Sequence, residues 1–180
     1  MNLVLIGYRG TGKSVVAEVL SRKLGMPAVS LDEEIAREAG MPIPEIVEKH
    51  GWPWFRDLES EIAERFAMRD DAILDTGGGV ILRPENTEHL RRDGVLFWLK
   101  ASVDVIVQRI QESAERPSLT EGRSFLEEVE EVLSQRLPLY RAAADREIDT
   151  DPLTVSEVAE EIIRGYRALA AERGIAPEDQ

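Results

Sequence analysis

The chain has 180 residues, of which 43% are hydrophobic, so it is long and apolar enough to form one globular domain and is not a disordered polymer. Its 35 acidic and 22 basic residues give a net charge of −13, which argues against general binding to nucleic acid or anionic membranes but leaves room for a pocket that binds an anion. The chain contains no cysteine and two histidines, which excludes disulfides, thiolate zinc sites, a cysteine nucleophile and a histidine-based metal cluster.

The hydrophobic pattern indicates neither a membrane span nor a signal peptide. No apolar run reaches the roughly 18 residues that a span requires. The N-terminal segment lacks a basic region and continues directly into a glycine-rich loop. We therefore expect a cytoplasmic protein.

Short apolar runs alternate with segments of helical periodicity along the chain. Strands are predicted at residues 3–7, 27–31, 72–74, 94–99 and 147–149. Helices are predicted at residues 14–24, 33–39, 44–50, 55–68, 86–92, 103–112, 125–142 and 153–171. Pro138 is expected to interrupt or shift the seventh helix, and either Thr154 or Asp151 caps the eighth. Residues 113–124 read as a polar loop and residues 171–180 as a frayed tail. This alternation predicts an α/β protein with a parallel sheet.

The first strand leads into a phosphate-binding loop. Residues 7–14, GYRGTGKS, fit the pattern G-x-x-x-x-G-K-[ST] without a mismatch. Glycines let the backbone N–H groups point at phosphate oxygens, and the helix that follows directs its positive end to the same place. Lys13 is expected to contact the β and γ phosphates, and the Ser14 hydroxyl to ligate Mg²⁺. The predicted nucleotide-binding residues of this segment are Gly10, Thr11, Gly12, Lys13, Ser14 and Val15.

Four further motifs follow the phosphate loop in order: FRDLE at 55–59, TGGG at 76–79, RPSL at 116–119 and RLPLY at 136–140. With the loop, they resemble the shikimate kinase family over residues 1 to about 165. The resemblance implies a three-layer α/β/α P-loop kinase fold with a five-stranded parallel sheet, in one domain of residues 1–170. It implies a substrate-binding helical region at about 32–60 and a mobile lid at about 112–124. It also implies a monomer that uses ATP and Mg²⁺ to phosphorylate the 3-hydroxyl of shikimate, in aromatic amino acid biosynthesis.

The same resemblance assigns the substrate site. Arg56 and Arg136 match the family's carboxylate-binding arginines, a role that suits the guanidinium fork. Glu59 lies three residues after Arg56 on the predicted helix, where its carboxylate can hold that guanidinium in place. Gly78 matches the family's substrate-contacting glycine, and with Gly79 it lets a substrate approach the backbone closely.

Two more arginines match positions of the family at the nucleotide. Arg116 matches the lid arginine that reaches the transferring phosphate, where a positive charge stabilises the transition state. Arg109 matches the arginine that packs on the adenine. The alternative for Arg109 is an ordinary arginine on the surface of a helix.

The segment after the second strand departs from the family's Asp-x-Asp. An ungapped count from Lys13 places the second aspartate, which binds substrate hydroxyls and can accept the attacking proton, at Asp32. The first, which helps to hold Mg²⁺, is then replaced by Ser30. An alternative alignment makes Asp32 the metal ligand and Glu34 the substrate ligand, but it needs a two-residue deletion.

Asp75 offers a substitute for the missing acid. It ends an apolar strand, as the carboxylate of a Walker B segment does in many P-loop enzymes. Our hypothesis is that the metal carboxylate has moved from position 30 to Asp75; the alternative is that Asp75 caps the following turn. A second departure is the Trp52-Pro53-Trp54 segment, which either packs the small domain, the interpretation we favour, or narrows the substrate pocket.

Two other functions remain open. One is a kinase of the same fold that acts on another small hydroxy-acid, such as gluconate. The other is an ATP-binding regulatory protein without catalysis, which the serine at position 30 favours and which the retained Lys13, Asp32, Arg116 and Arg136 oppose.

Overall fold

Five parallel strands form one sheet in the computed structural model, which describes residues 1–112 and 125–175. The strands are β1 (Asn2–Ile6), β2 (Ala28–Ser30), β3 (Ile73–Asp75), β4 (Gly94–Lys100) and β5 (Arg146–Asp149). Their order across the sheet is β2-β3-β1-β4-β5, and every neighbouring pair is parallel. The predicted parallel sheet and its five strands are therefore confirmed.

Helices connect successive strands, as parallel pairing requires. They are α1 (Lys13–Leu24), α2 (Leu31–Ala39), α3 (Ile43–Ala67), α4 (Pro84–Arg92), α5 (Val103–Glu112), α6 (Phe125–Ala143) and α7 (Val155–Glu172). A short 3₁₀ turn at Val80–Leu82, which the periodicity did not predict, follows the three glycines after β3. The predicted loop at 113–124 lies outside the described residues.

Gly51 and Pro138 affect their helices differently. Gly51 has a φ of 83°, so α3 consists of two helical stretches joined at a kink, and the predicted helix end there is confirmed. By contrast, α6 continues past Pro138, so the expected interruption was wrong. A proline removes one backbone N–H, and the packing of α6 against the sheet outweighs that loss.

Thr154, rather than Asp151, caps α7. The Thr154 hydroxyl accepts a hydrogen bond from the backbone N–H of Glu157, whose side chain in turn accepts one from the backbone N–H of Thr154. This reciprocal pair is a capping box. Asp151 instead accepts hydrogen bonds from the backbone N–H of Ser102.

The sheet is buried between two helical layers. Alternate residues of β1 show this: Leu3 and Leu5 pack with the apolar faces of α1 and α7, whereas Val4 and Ile6 pack with α3, α4 and α6. Strands buried on both faces read as continuous apolar runs, which is why they were recognisable in the sequence. None of the described helices is long and apolar enough to cross a membrane.

The tryptophans after Gly51 are exposed, so the predicted packing of the small domain by these side chains was wrong. Trp52 is 54% exposed and Trp54 is 40% exposed. The Trp54 ring stacks on His50, and the Trp52 ring lies edge-on to Phe55. Their position in the chain, just before Arg56, brings one of them to the site described next.

Candidate active site

A cavity of about 470 Å³ opens where β1, β2 and β3 end. Ligands of open α/β sheets bind at such carboxyl ends. The cavity is lined by nine of the predicted site residues: Gly10, Gly12, Lys13, Ser14, Val15, Asp32, Asp75, Gly78 and Arg109. It is also lined by Arg9, Ser30, Thr76 and Ile110, for which the sequence patterns predict no binding role. One cavity thus joins the phosphate loop to the segments that follow β2 and β3.

The phosphate loop takes its shape from glycines with left-handed backbone. Gly10 and Gly12 have φ values of 81° and 92°, which side-chain-bearing residues rarely adopt. The predicted Thr11 is 2% exposed and does not line the cavity; its hydroxyl donates to the carbonyl of Tyr8 and so stabilises the turn. Lys13 begins α1, and its Nζ donates to the carbonyls of Gly7 and Tyr8 at 2.8 and 3.2 Å.

The buried Lys13 and Asp75 and the exposed Ser14 form a polar group at the phosphate loop. The Ser14 hydroxyl donates to Oδ2 of Asp75 at 2.6 Å. Burial lowers the pKa of Lys13, although the carboxylates of Asp75 and Asp32 oppose this shift. Burial raises the pKa of Asp75, and here Lys13 and the Ser14 hydrogen bond act in the opposite direction. Each charged group is therefore partly compensated by its neighbours in a region of low solvent access.

Ser30 and Asp75 are register partners on the adjacent parallel strands β2 and β3. The Ser30 hydroxyl accepts a hydrogen bond from the backbone N–H of Glu33 and caps α2. Asp75 is 7% exposed and directs its carboxylate to Ser14. Both side chains reach the same cavity, and its oxygen groups, a hydroxyl and a carboxylate beside a phosphate loop, are the type that Mg²⁺ prefers.

Two of the three glycines after β3, Gly77 and Gly79, leave space for site side chains of the protein itself. A methyl group on Gly77 would lie 2.6 Å from a carboxylate oxygen of Asp32 and 3.1 Å from one of Glu59. A methyl group on Gly79 would overlap the guanidinium of Arg56. The sequence predicted close approach of a substrate to this backbone; the structure adds that Asp32, Glu59 and Arg56 already approach it.

Arg56 is held on several sides. It forms an ion pair with Glu59, three residues further along α3, as the spacing predicted. Its guanidinium lies 4.9 Å from the Phe55 ring centroid and 5.3 Å from that of Trp52, within cation–π range. Arg56 does not itself line the cavity but contacts the three glycines after β3, residues 77–79, which are called the glycine segment below.

Arg136 contacts the same segment from α6. Its Nη1 donates to the carbonyl oxygen of Gly78 at 3.0 Å. Burial raises the pKa of Glu59, while Arg56 and Arg136 lower it and Asp32 raises it further. Arg56, Arg136 and Asp32, which are distant in sequence, thus lie within electrostatic range of one carboxylate.

Arg109 lies at the nucleotide end of the cavity. Its Nη1 is 3.3 Å from the carbonyl oxygen of Gly10 and 3.4 Å from the Thr150 hydroxyl. This places it beside the phosphate loop. The predicted Arg116, and all of the predicted lid except Glu112, lie outside the described residues.

Two residues with contacts to the site had no role in the sequence analysis. Arg9 lines the cavity, and its guanidinium lies 5.8 Å from the Tyr8 ring centroid and 5.5 Å from that of Phe125. Tyr140 donates its hydroxyl to the carbonyl of Gly78. Arg9 occupies a variable position of the phosphate-loop pattern, so no motif marked it. Tyr140 is the last residue of the RLPLY motif, which was the available signal.

Comparison with known proteins gives a consistent family. The shikimate kinase family model matches residues 9–167. The shikimate kinase of Thermodesulfovibrio yellowstonii is 44% identical over 169 residues, which cover 94% of this chain and 96% of that protein.

Solved structures agree with the sequence comparison. A shikimate kinase from Acinetobacter baumannii, in complex with shikimate, has a TM-score of 0.85 at 31% identity and covers 95% of this chain and 93% of its own. A gluconokinase from Sinorhizobium meliloti has a TM-score of 0.61 at 22% identity, covering 95% and 94% of the two chains, and so shares the fold alone. The chain belongs to the shikimate kinase family.

Proposed function

We propose that this protein transfers the γ-phosphoryl group of ATP to the 3-hydroxyl of shikimate, giving shikimate 3-phosphate and ADP in the biosynthesis of aromatic amino acids. The observation that supports this most directly is the single cavity that joins a phosphate loop to Asp32 and Gly78. Arg56 and Arg136, which match the family's carboxylate-binding arginines, contact the glycine segment at this cavity. Two of the proteins named above, those of Thermodesulfovibrio yellowstonii and Acinetobacter baumannii, are shikimate kinases by name.

In this proposal, ATP binds along the phosphate loop. The backbone N–H groups of the loop and the N-terminus of α1 receive the β and γ phosphates. Lys13 exchanges a loop carbonyl for phosphate oxygen, a small movement because its Nζ already lies beside the loop backbone. Arg109, held beside Gly10, packs on the adenine.

Mg²⁺ is part of this proposal, and Ser14 and Asp75 are the residues that would hold it. Among the described residues no three His, Cys, Asp or Glu side chains group together as a metal site. Mg²⁺ does not need such a group in nucleotide enzymes, because it keeps several waters and binds one or two protein oxygens together with phosphates. When bound, it supplies charge stabilisation to the transferring phosphoryl group.

The acceptor binds at the glycine segment. Arg56 and Arg136 bind the shikimate carboxylate, and Gly78 and Gly79 allow the ring to approach the backbone. Asp32 orients the 3-hydroxyl and takes its proton as the hydroxyl attacks phosphorus, since its carboxylate lies between the phosphate loop and this segment. Arg116 is assigned, from its motif, to the transferring phosphate. Positioning and charge stabilisation then provide most of the acceleration.

Coupled ADP release tests this function. ATP and Mg²⁺ are supplied with shikimate, gluconate, quinate or no acceptor. We expect turnover that depends on shikimate and exceeds turnover with the other two acids. Turnover with gluconate alone would favour the other small-molecule kinase, and ATP binding without acceptor-dependent ADP would favour a regulatory protein.

The remaining parts of the proposal concern the setting of the enzyme. We expect a monomer in the cytoplasm whose partner is the small-molecule substrate, without nucleic-acid or membrane binding. Size-exclusion chromatography with light scattering measures the oligomeric state. A single domain of residues 1–170 with a substrate region at about 32–60 stays a prediction.

A further inference from the structure

Tyr140 is held by burial, ring stacking and a hydrogen bond, although the proposed function assigns it no role. It is fully buried on the inner face of α6, and its ring stacks on Trp98 of β4 with 5.6 Å between centroids and 19° between planes. Its hydroxyl donates to the carbonyl oxygen of Gly78 at 2.5 Å. Burial raises the pKa of this phenol further above its ordinary value of 10, so it stays protonated and able to donate.

The carbonyl of Gly78 therefore has two donors from one helix. Arg136 and Tyr140 lie one turn apart on α6 and bind the same oxygen. The two donors differ in freedom of movement. The guanidinium of Arg136 ends a flexible side chain, whereas the ring of Tyr140 is fixed between α6 and the sheet.

We propose that Tyr140 is a positioning residue for acceptor binding. It holds the Gly78 carbonyl in place, so that the glycine segment keeps its shape when Arg136 turns toward the carboxylate of the acceptor. The inference rests on the proposed function, because Arg136 must have an acidic acceptor to bind. Tyr140 itself does not touch the reacting atoms.

The position of Gly78 explains why its carbonyl matters. Its Cα faces the phosphate loop, where an added methyl group would lie 3.4 Å from the backbone nitrogen of Arg9 and 3.5 Å from the carbonyl oxygen of Gly7. The next residue, Gly79, lies against Arg56. A carbonyl released from Tyr140 would let the segment move relative to both arginines of the acceptor site, while the phosphate loop, held by its own hydrogen bonds, would stay as it is.

Tyr140→Phe tests the proposal, with Tyr166→Phe as the matched control. The Tyr166 hydroxyl also donates to a backbone carbonyl at 2.5 Å, that of Met1, and it lies on α7, away from the cavity. Both variants lose one hydrogen bond of the same kind. We expect Tyr140→Phe to raise the KM and the calorimetric Kd for shikimate about three- to tenfold, the range for one lost hydrogen bond, with the KM for ATP changed less than about twofold. Tyr166→Phe should leave all three constants unchanged.

A purely structural role would give a different result. If Tyr140→Phe left the shikimate constants at the wild-type level, or raised the KM for ATP to the same extent, the proposal would be wrong. Failure of the proposed function looks different again, because the wild-type protein itself would then release no ADP with shikimate.

A second measurement avoids any variant that folds poorly. The wild-type chain is labelled with ¹³C at glycine carbonyls, and the Gly78 signal is followed by NMR during a titration with shikimate. We expect the Gly78 carbonyl shift to keep its hydrogen-bonded value while the guanidinium signals of arginine move. A Gly78 carbonyl that loses its hydrogen-bonded shift as shikimate binds would overturn the proposal.

Discussion

Replacing Gly79 with alanine should weaken acceptor binding by displacing Arg56. The backbone of Gly79, with φ −105° and ψ 1°, is accessible to alanine, so the fold should tolerate the change. The added methyl group would overlap the Arg56 guanidinium, which must therefore move. A displaced guanidinium weakens its ion pair with Glu59 and its contact with the ring of Trp52.

The size of the effect follows from the interaction that is lost. A hydrogen bond to a charged group contributes about 1.5–3 kcal/mol. Since about 1.36 kcal/mol corresponds to a factor of ten, Gly79→Ala should raise the KM for shikimate about 10- to 150-fold. The KM for ATP should stay near the wild-type value, because Gly79 does not line the cavity at the phosphate loop.

Initial rates of ADP release at varied shikimate measure this, in a double-mutant cycle with Arg56→Met. If the methyl group acts through the guanidinium, Gly79→Ala should have little further effect once Arg56 is methionine. The reasoning is refuted if Gly79→Ala raises the shikimate KM by the same factor in the Arg56→Met variant as in the wild type. It is also refuted if Gly79→Ala raises the KM for ATP equally.

Three further predictions address other parts of the site. Asp75→Asn should raise the Mg²⁺ concentration needed for half-maximal nucleotide binding, measured by titration calorimetry, and an unchanged requirement would contradict the metal assignment. Burial raises the pKa of Glu59 above its ordinary value of 4.5, so just above that pH the native state binds more protons than the unfolded chain. This group therefore makes the free energy of unfolding fall as the pH rises from 4.5 through the pKa of the native state. Urea denaturation at a series of pH values should therefore show Glu59→Gln gaining stability relative to wild type as pH increases, whereas a constant difference would refute the shift. Trp52→Leu should raise the shikimate KM about two- to fivefold by removing a cation–π contact to Arg56, and Trp54→Leu, the control, should not.

The parts of the fold that sequence predicted are those that local rules determine. The strands are buried on both faces and therefore read as apolar runs, and the phosphate loop is a short contiguous pattern. The kink at Gly51 follows from one residue's backbone freedom. Pro138 shows the limit of such rules, because the packing of α6 against its neighbours decides whether the helix continues.

The contacts of the site depend on packing between distant segments, which one sequence does not reveal. Trp52 has a large apolar side chain of the kind that usually packs in a core. It is nevertheless exposed and lies beside Arg56. Tyr140 ends a named motif, but only the approach of α6 to the glycine segment gives its hydroxyl a partner 62 positions away. Arg9 occupies a position that the phosphate-loop pattern leaves free, and one of its two ring contacts, Phe125, comes from the start of α6.

The pairing of Ser30 with Asp75 connects the sequence pattern to the metal proposal. Residues in register on adjacent parallel strands stand side by side, roughly 4.8 Å apart. A carboxylate at position 75 can therefore serve nearly the same point in the cavity as one at position 30 would. Its hydrogen bond from Ser14 directs it to the other oxygen expected at the metal. Because Mg²⁺ keeps several waters, a shift of one strand spacing can be absorbed by exchanging a water for a protein oxygen. Ser30→Asp should for that reason relieve the raised Mg²⁺ requirement of Asp75→Asn when the double variant is titrated in the same calorimetric assay. A requirement that stays as high as in Asp75→Asn alone would contradict the shared position.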